Sequence, residues 1–181
     1  MSIRIAQIVD AKEIQSVIVD SVRPHWCEDF NDQGWENFLA PNQLGSIPAR
    51  LQDKAYLTVC YLAEGRIVGI LGIYKLEKID QLFVLPIARK MGVASALWSY
   101  AKEICIKQGN SKRFWVKSST LAVPVYESFG FEKTGNRETE NGISYYFVVS
   151  DNVYLTVQIS SPPNSSLEKP GVVARPFHTI I

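Results

Sequence analysis

Leu82-Phe83-Val84-Leu85-Pro86-Ile87-Ala88-Arg89-Lys90-Met91-Gly92-Val93-Ala94-Ser95 decides the reading of this chain. The apolar run closed by Pro86 has the composition of a buried strand. Arg89 to Ala94 forms a short basic turn. From Val93 onward the apolar residues Val93, Leu97, Ala101, Ile104 and Cys105 fall on one face at helical spacing. A strand, a tight basic turn and a helix start make an anion site. The first amides of a helix have no internal partner, and the aligned peptide dipoles add partial positive charge there. Gly92 has no Cβ to keep a ligand off the backbone, and Ala94 is nearly as small. Arg89 and Lys90 add full charges, so the turn suits a pyrophosphate. Neither the dinucleotide fingerprint nor a Gly-Lys-Ser/Thr phosphate loop is present. Lys102 and Lys107 suit the helix C-terminus, and Gly109 is predicted to close it in the left-handed conformation.

Downstream, the strand-like Arg113-Phe114-Trp115-Val116-Lys117 leads into Ser118-Ser119, then Ala122-Val123-Pro124-Val125-Tyr126-Glu127-Ser128-Phe129-Gly130-Phe131. The basic turn at Arg89 to Ala94, followed by a short tyrosine-bearing helix ending in Gly-Phe, resembles the GNAT N-acetyltransferase superfamily. The resemblance covers roughly the first 150 residues and is strongest from Leu82 to Phe131. It departs at Ser119, where many members carry Asn seven residues before the tyrosine.

The rest of the chain agrees with an α/β (α+β) fold. Ile3 to Ile8 alternates like a first strand. Asp10 is predicted to cap a helix from Ala11, with Glu13 completing a capping box. Short helices fit Gly34 to Ala40 and the residues before Gln52. Tyr56 to Leu62 and Ile67 to Tyr74 flank the hairpin signal Glu64-Gly65, and Lys78 to Val84 completes a meander. Two further strands, near Phe131 to Thr134 and from Ile143 to Val149, flank Asn141-Gly142. The expected architecture is a mixed, mostly antiparallel sheet of about six to seven strands with flanking helices.

The chain has 181 residues, 46% hydrophobic and 20% charged, with a formal net charge of +1. These values fit one globular domain and give no global field to draw nucleic acid or a membrane. The N-terminus lacks the apolar stretch of a secretory signal, so a cytoplasmic protein is expected. Cys27, Cys60 and Cys105 are read as reduced thiols. They do not cluster with His25 or His178, so no metal site is expected. Residues 1–150 form the expected domain, with 151–181 as an extension. Its alternating part, Asn152 to Ile159, could add a strand to a sheet edge, in this subunit or across a homodimer, before a Pro/Ser-rich tail.

The resemblance implies direct transfer of acetyl from acetyl-coenzyme A, as co-substrate, to the amino group of a small molecule or protein. The main chain of Leu82, Phe83 and Val84 would pair with the pantetheine arm. Arg89, Lys90, Met91, Gly92, Val93, Ala94 and Ser95 would take the pyrophosphate. Tyr126 would be the general acid that protonates the leaving thiolate. Ser119 either bonds the cofactor or caps the Tyr126 helix. Asp80, two residues before Leu82 and so expected on its face of the strand, is chosen as general base. Glu77, Glu28 and Asp29 are the other candidates. Trp26, Glu28 and Asp29 are assigned to the acceptor pocket. Phe30 and Trp35 either extend its aromatic wall or belong to the core. A non-catalytic acyl-coenzyme A binding or regulatory module on the same fold is the alternative reading.

Overall fold

A computed structural model describes residues 1–22 and 29–150. Its seven-stranded sheet comprises β1 (Ser2–Ile5), β2 (Tyr56–Ala63), β3 (Arg66–Tyr74), β4 (Lys78–Val84), β5 (Phe114–Ser118), β6 (Phe131–Glu140) and β7 (Ile143–Ser150), in the order β1-β2-β3-β4-β5-β7-β6. Every neighbouring pair is antiparallel except β4 with β5. The hairpin turns at Glu64-Gly65 and Asn141-Gly142 have positive φ at both residues, as the tight turns that match strand twist require. Lys75-Leu76 does the same between β3 and β4, without a turn-forming residue.

The helices are α1 (Ala11–Val22), α2 (Asp32–Leu39), α3 (Ile47–Gln52), α4 (Val93–Lys107) and α5 (Val123–Ser128). Strand alternation sends side chains to two cores. Leu71, Ile79, Leu82 and Val116 meet Val93, Leu97 and Ala101 of α4 and Tyr126 of α5. Cys60, Ile70 and Phe83 meet Ile14, Val17 and Ile18 of α1, Phe38 of α2 and Ile47 of α3. Trp98 joins the predicted face of α4, and Ile104 is only half-buried. Gly69 lets α4 lie close, because a Cβ there would meet Val93 Cγ1 at 2.8 Å. At the other end Gly109 has φ 104°. Its amide bonds Ile106 O and that of Asn110 bonds Cys105 O, which closes the helix in a Schellman arrangement.

The predicted cap at Asp10 is displaced by one turn. Asp10 ends a 3₁₀ turn, Ile8–Asp10, and its carboxylate reaches back to the Gln7 amide at 2.7 Å. It also takes both arms of Arg4, at 2.6 and 2.8 Å. The Arg4 hydrogen bonds hold Asp10 below the usual carboxylate range.

At the other side of the molecule, α2 lies against the β6–β7 turn. Asn31 caps α2 through the Gly34 amide at 2.9 Å, and its own amide donates to Gly142 O at 3.0 Å. A Cβ on Gly34 would overlap the Gly142 carbonyl, and one on Gly142 would overlap the Asn31 side chain. Gly34→Ala should therefore destabilise the fold, although alanine usually favours a helix. Overpacking of about 1–3 kcal/mol outweighs a gain of about 1 kcal/mol in helix propensity. Urea melts check this; an unchanged or raised midpoint would show that the turn and helix separate easily.

Candidate active site

β4 and β5 pair at only two positions, Lys78↔Trp115 and Ile79↔Val116. Beyond them β4 continues along β3 to Val84, and β5 continues along β7 to Ser118. The parallel strands thus fork, and the facing backbone edges of Leu82 to Val84 and of Lys117–Ser118 are not paired with each other. The register between β3 and β4 shifts after Gly72↔Gln81, so that Ile73 pairs with Ile79 and Asp80 sits in a bulge at the crotch of the fork.

At the mouth of the fork the chain makes a 3₁₀ turn, Pro86–Ala88, and enters α4 through two residues of positive φ, Lys90 at 60° and Gly92 at 79°. Lysine is rarely found there, and such strain collects where a ligand is handled. The first α4 bond found at this entry runs from the Ala96 amide to Gly92 O at 3.0 Å, leaving the amides of Val93, Ala94 and Ser95 without helix partners. A Cβ at Gly92 would meet nothing within 4 Å, so the space above this backbone is open. That space belongs to a cleft of about 370 Å³. Val84, Arg89, Lys90 and Gly92 to Ser95 form one wall, and Leu121, Val125, Ser128 and Phe129 the other. The second wall was missed in the sequence, though its residues stand at i, i+4, i+7 and i+8, the spacing of a helical stripe. Met91 lies beside the cleft with an exposed side chain.

Arg89 turns inward. Its Nη2 donates to Ser21 O at the end of α1, at 2.8 Å, and its Nε to Val84 O at 3.3 Å. Burial draws its pKa down from the usual value. Arg89 thus ties the basic turn to α1 while its charge stays on the cleft wall.

Tyr126 is fully buried behind Val125, with its ring against Phe129 and Phe131. Its hydroxyl has no hydrogen-bond partner among the described residues. Burial pushes its pKa well above the usual phenol value, so it carries a proton throughout the neutral range. Ser119 is also buried. Its Oγ accepts from the Ala122 amide at 3.2 Å in the turn before α5, whose N-cap position is Ala122 itself.

Two of the expected carboxylate roles conflict with the geometry. The bulge removes Asp80 from the face of Leu82: Ile79 and Leu82 both join the α4 core. The Asp80 carboxylate is buried, with Oδ2 accepting from the Tyr56 hydroxyl and Oδ1 from Lys78 Nζ at 2.6 Å. Asp29, placed by sequence in the acceptor pocket, has its side chain 4% exposed. It accepts from the Thr120 amide at 2.9 Å, Thr120 Oγ1 at 2.8 Å and Arg137 Nη2 at 2.7 Å. Trp26 and Glu28, like the strand expected from Asn152 to Ile159, lie outside the described residues. Phe30 and Trp35 pack edge-on at 6.0 Å, beside Phe38, as part of the core under α1 to α3.

A family model for the GNAT acetyltransferase domain matches residues 27–147. No curated protein sequence matches the chain significantly. Among solved structures, a GCN5-related N-acetyltransferase from Rhodopseudomonas palustris superposes with a TM-score of 0.70 at 20% identity, covering 83% of this chain and 95% of that one. The PaiA N-acetyltransferase from Thermoplasma acidophilum, in complex with coenzyme A, gives 0.69 at 14% identity, covering 84% and 100%. The ribosomal-protein-alanine N-acetyltransferase from Brucella melitensis gives 0.64 at 15% identity, covering 83% and 99%. At these identities the superpositions establish a shared fold. Among the described residues, no helix is long and apolar enough to cross a membrane.

The unpartnered hydroxyl yields a stability test. A buried unsatisfied polar atom costs about 1–3 kcal/mol. Tyr126→Phe should therefore leave the melting temperature unchanged or raise it. Because the folded pKa is raised, the Tyr126 contribution is complete below the unfolded phenol pKa of about 10 and is lost as pH climbs beyond it. The mutant should therefore gain on wild type between pH 8 and pH 11. A clear loss at neutral pH would mean that the hydroxyl has an internal partner.

Proposed function

The chain belongs to the GNAT acetyltransferase family and is an acyltransferase, and we propose that it moves acetyl from acetyl-coenzyme A to a primary amine while both are bound. The observation that carries this reading is the fork between β4 and β5, opening onto the strained, amide-rich entry of α4. A pantetheine arm has alternating amides that can pair with the fork-facing edge of β4 along Leu82, Phe83 and Val84, whose last carbonyl is also reached by Arg89 Nε. The amides from Gly92 to Ser95, with Lys90 and the charge of Arg89, suit a pyrophosphate. An amide of β4 near Phe83 or Val84 would meet the thioester oxygen as charge develops on it.

In this reading Tyr126 protonates the leaving thiolate. Its hydroxyl is neutral at physiological pH and has no competing partner among the described residues, which leaves the proton available. Asp80 holds the crotch of the fork and is not the group that takes the amine proton. Trp26 and Glu28 are proposed on sequence grounds to face the acceptor, an acid and an aromatic that suit a cationic amine. A second reading, binding without transfer, has no observation in its favour: Ser119, whose departure from the family pattern suggested it, is occupied in the turn before α5.

Calorimetric titration with acetyl-coenzyme A tests the binding half. Gly92→Ala should weaken binding mildly, since the left-handed backbone strains by about 1–2 kcal/mol. Gly92→Glu, equally strained, should abolish it, because its carboxylate would stand among the phosphates. Equal affinity in the two folded mutants would remove the phosphate assignment. Thiol release from acetyl-coenzyme A with a panel of primary amines tests the transfer half. Tyr126→Phe should bind normally and turn over about 10²–10⁴-fold more slowly. Wild-type turnover in the mutant would make Tyr126 structural.

A further inference from the structure

Asp29 joins three segments that are far apart in sequence. Both of its oxygens are engaged, one by the Thr120 amide and the other by the Thr120 hydroxyl and Arg137. Thr120 lies 91 residues away, in the turn that starts α5, and Arg137 lies 108 residues away, within the register shift of β6. Next to Asp29, Phe30 bridges Ile143 and the Asn31 amide holds Gly142 O. The carboxylate is thus buried, charged and answered by a half-exposed guanidinium, an expensive device where an apolar contact would serve for cohesion alone.

What it grips decides its use. Thr120 is followed by Leu121, which lines the cleft, and then by α5, which carries Val125 on the cleft wall and Tyr126 behind it. Ser119 fixes the same turn from inside through the Ala122 amide. Thr120 is therefore the point at which the segment leading into α2 controls where α5 begins. A small rotation of this turn would move the Tyr126 hydroxyl relative to the fork and leave the α4 entry untouched.

We propose that Asp29 is a positioning residue, which through Thr120 sets the start of α5 and so holds the Tyr126 hydroxyl in register with the reacting thioester. This rests on the acetyl-transfer reading above. The clasp acts on the chemical step through α5, while the phosphates of the coenzyme are taken by the separate turn from Arg89 to Ser95.

The test uses Asp29→Asn, which keeps the shape and removes the charge, and Thr120→Val, which removes the hydroxyl arm and keeps the amide. Arg137→Met and Arg137→Lys complete the set. With acetyl-coenzyme A and the best amine of the panel, Asp29→Asn and Thr120→Val should lower kcat about 10- to 100-fold, the scale of a misplacement near 1 Å, with KM for acetyl-coenzyme A within about threefold. Arg137→Lys should recover most of the kcat lost in Arg137→Met. Amide hydrogen exchange should quicken at Thr120 to Ala122 in Asp29→Asn and stay unchanged in α4. Folded variants with wild-type kcat would overturn the proposal, as would exchange that quickens equally throughout the chain. Should no amine be turned over by the wild-type protein, the acetyl-transfer reading fails instead. Exchange at Thr120 to Ala122 then still judges the clasp, and unchanged exchange there overturns it.

Discussion

Two residue pairs of parallel sheet, Lys78↔Trp115 and Ile79↔Val116, hold the two halves of this molecule's sheet together. On one side β1 to β4 form an antiparallel meander, on the other β5, β7 and β6 form a second unit, and among the described residues this short seam is the only strand pairing between them. A longer seam would close the fork and leave no free strand edges. None at all would let the halves drift. The seam is confined by the bulge at Asp80, which twists β4 away from β5, and it is reinforced where the Trp115 amide donates to Glu77 O at 3.0 Å. Tyr56 and Lys78 fix Asp80 in the bulge, so a buried charge sits where the backbone has to change direction.

The same constraint places the helix. A parallel neighbour requires a crossover, and the crossover from β4 to β5 is α4. Its start must lie near the end of β4, and so beside the open fork. Gly69 lets the helix sink onto β3. Unpartnered amides and free strand edges therefore face one cleft as a consequence of topology. The basic residues tune this site, and the connectivity creates it.

Much of this was legible because local rules and the final fold agreed. The apolar face of α4, Gly109 at its end and the turns at Glu64-Gly65 and Asn141-Gly142 each rest on neighbours in sequence. Where the reading failed, the deciding partner was distant. Asp80 was assigned to the face of Leu82 by a period of two, and a bulge is an interruption of that period set by the opposing strand. Asp29 was assigned to the acceptor pocket because Thr120 and Arg137 are invisible from its own segment. Asp10 bonds Arg4 and Gln7 behind it, where the capping pattern pointed ahead. The turn at Lys75-Leu76 carries no glycine or asparagine to announce it. Leu76 packs into the α4 core, and its carbonyl is held by Asn110 Nδ2 at 2.9 Å, so tertiary contacts supply what local preference lacks.

Two departures from good local chemistry flank the cleft. Lys90 at positive φ lies on one wall of the cleft, and the unpartnered Tyr126 hydroxyl lies behind the other. Each forgoes on the order of 1–3 kcal/mol that a purely structural sequence could recover, lysine by exchange for glycine and tyrosine by exchange for phenylalanine. The surrounding core is dense enough to hold both in place: Tyr126 is gripped by Phe129 and Phe131, and Val93 and Leu97 anchor the helix that Lys90 enters. A tyrosine hydroxyl kept neutral, buried and without a hydrogen bond among the described residues has little value to the fold alone. Its hydroxyl acquires a use once a group that needs a proton lies in the fork, and this is the strongest reason for reading the cleft as a site of chemistry as well as of binding.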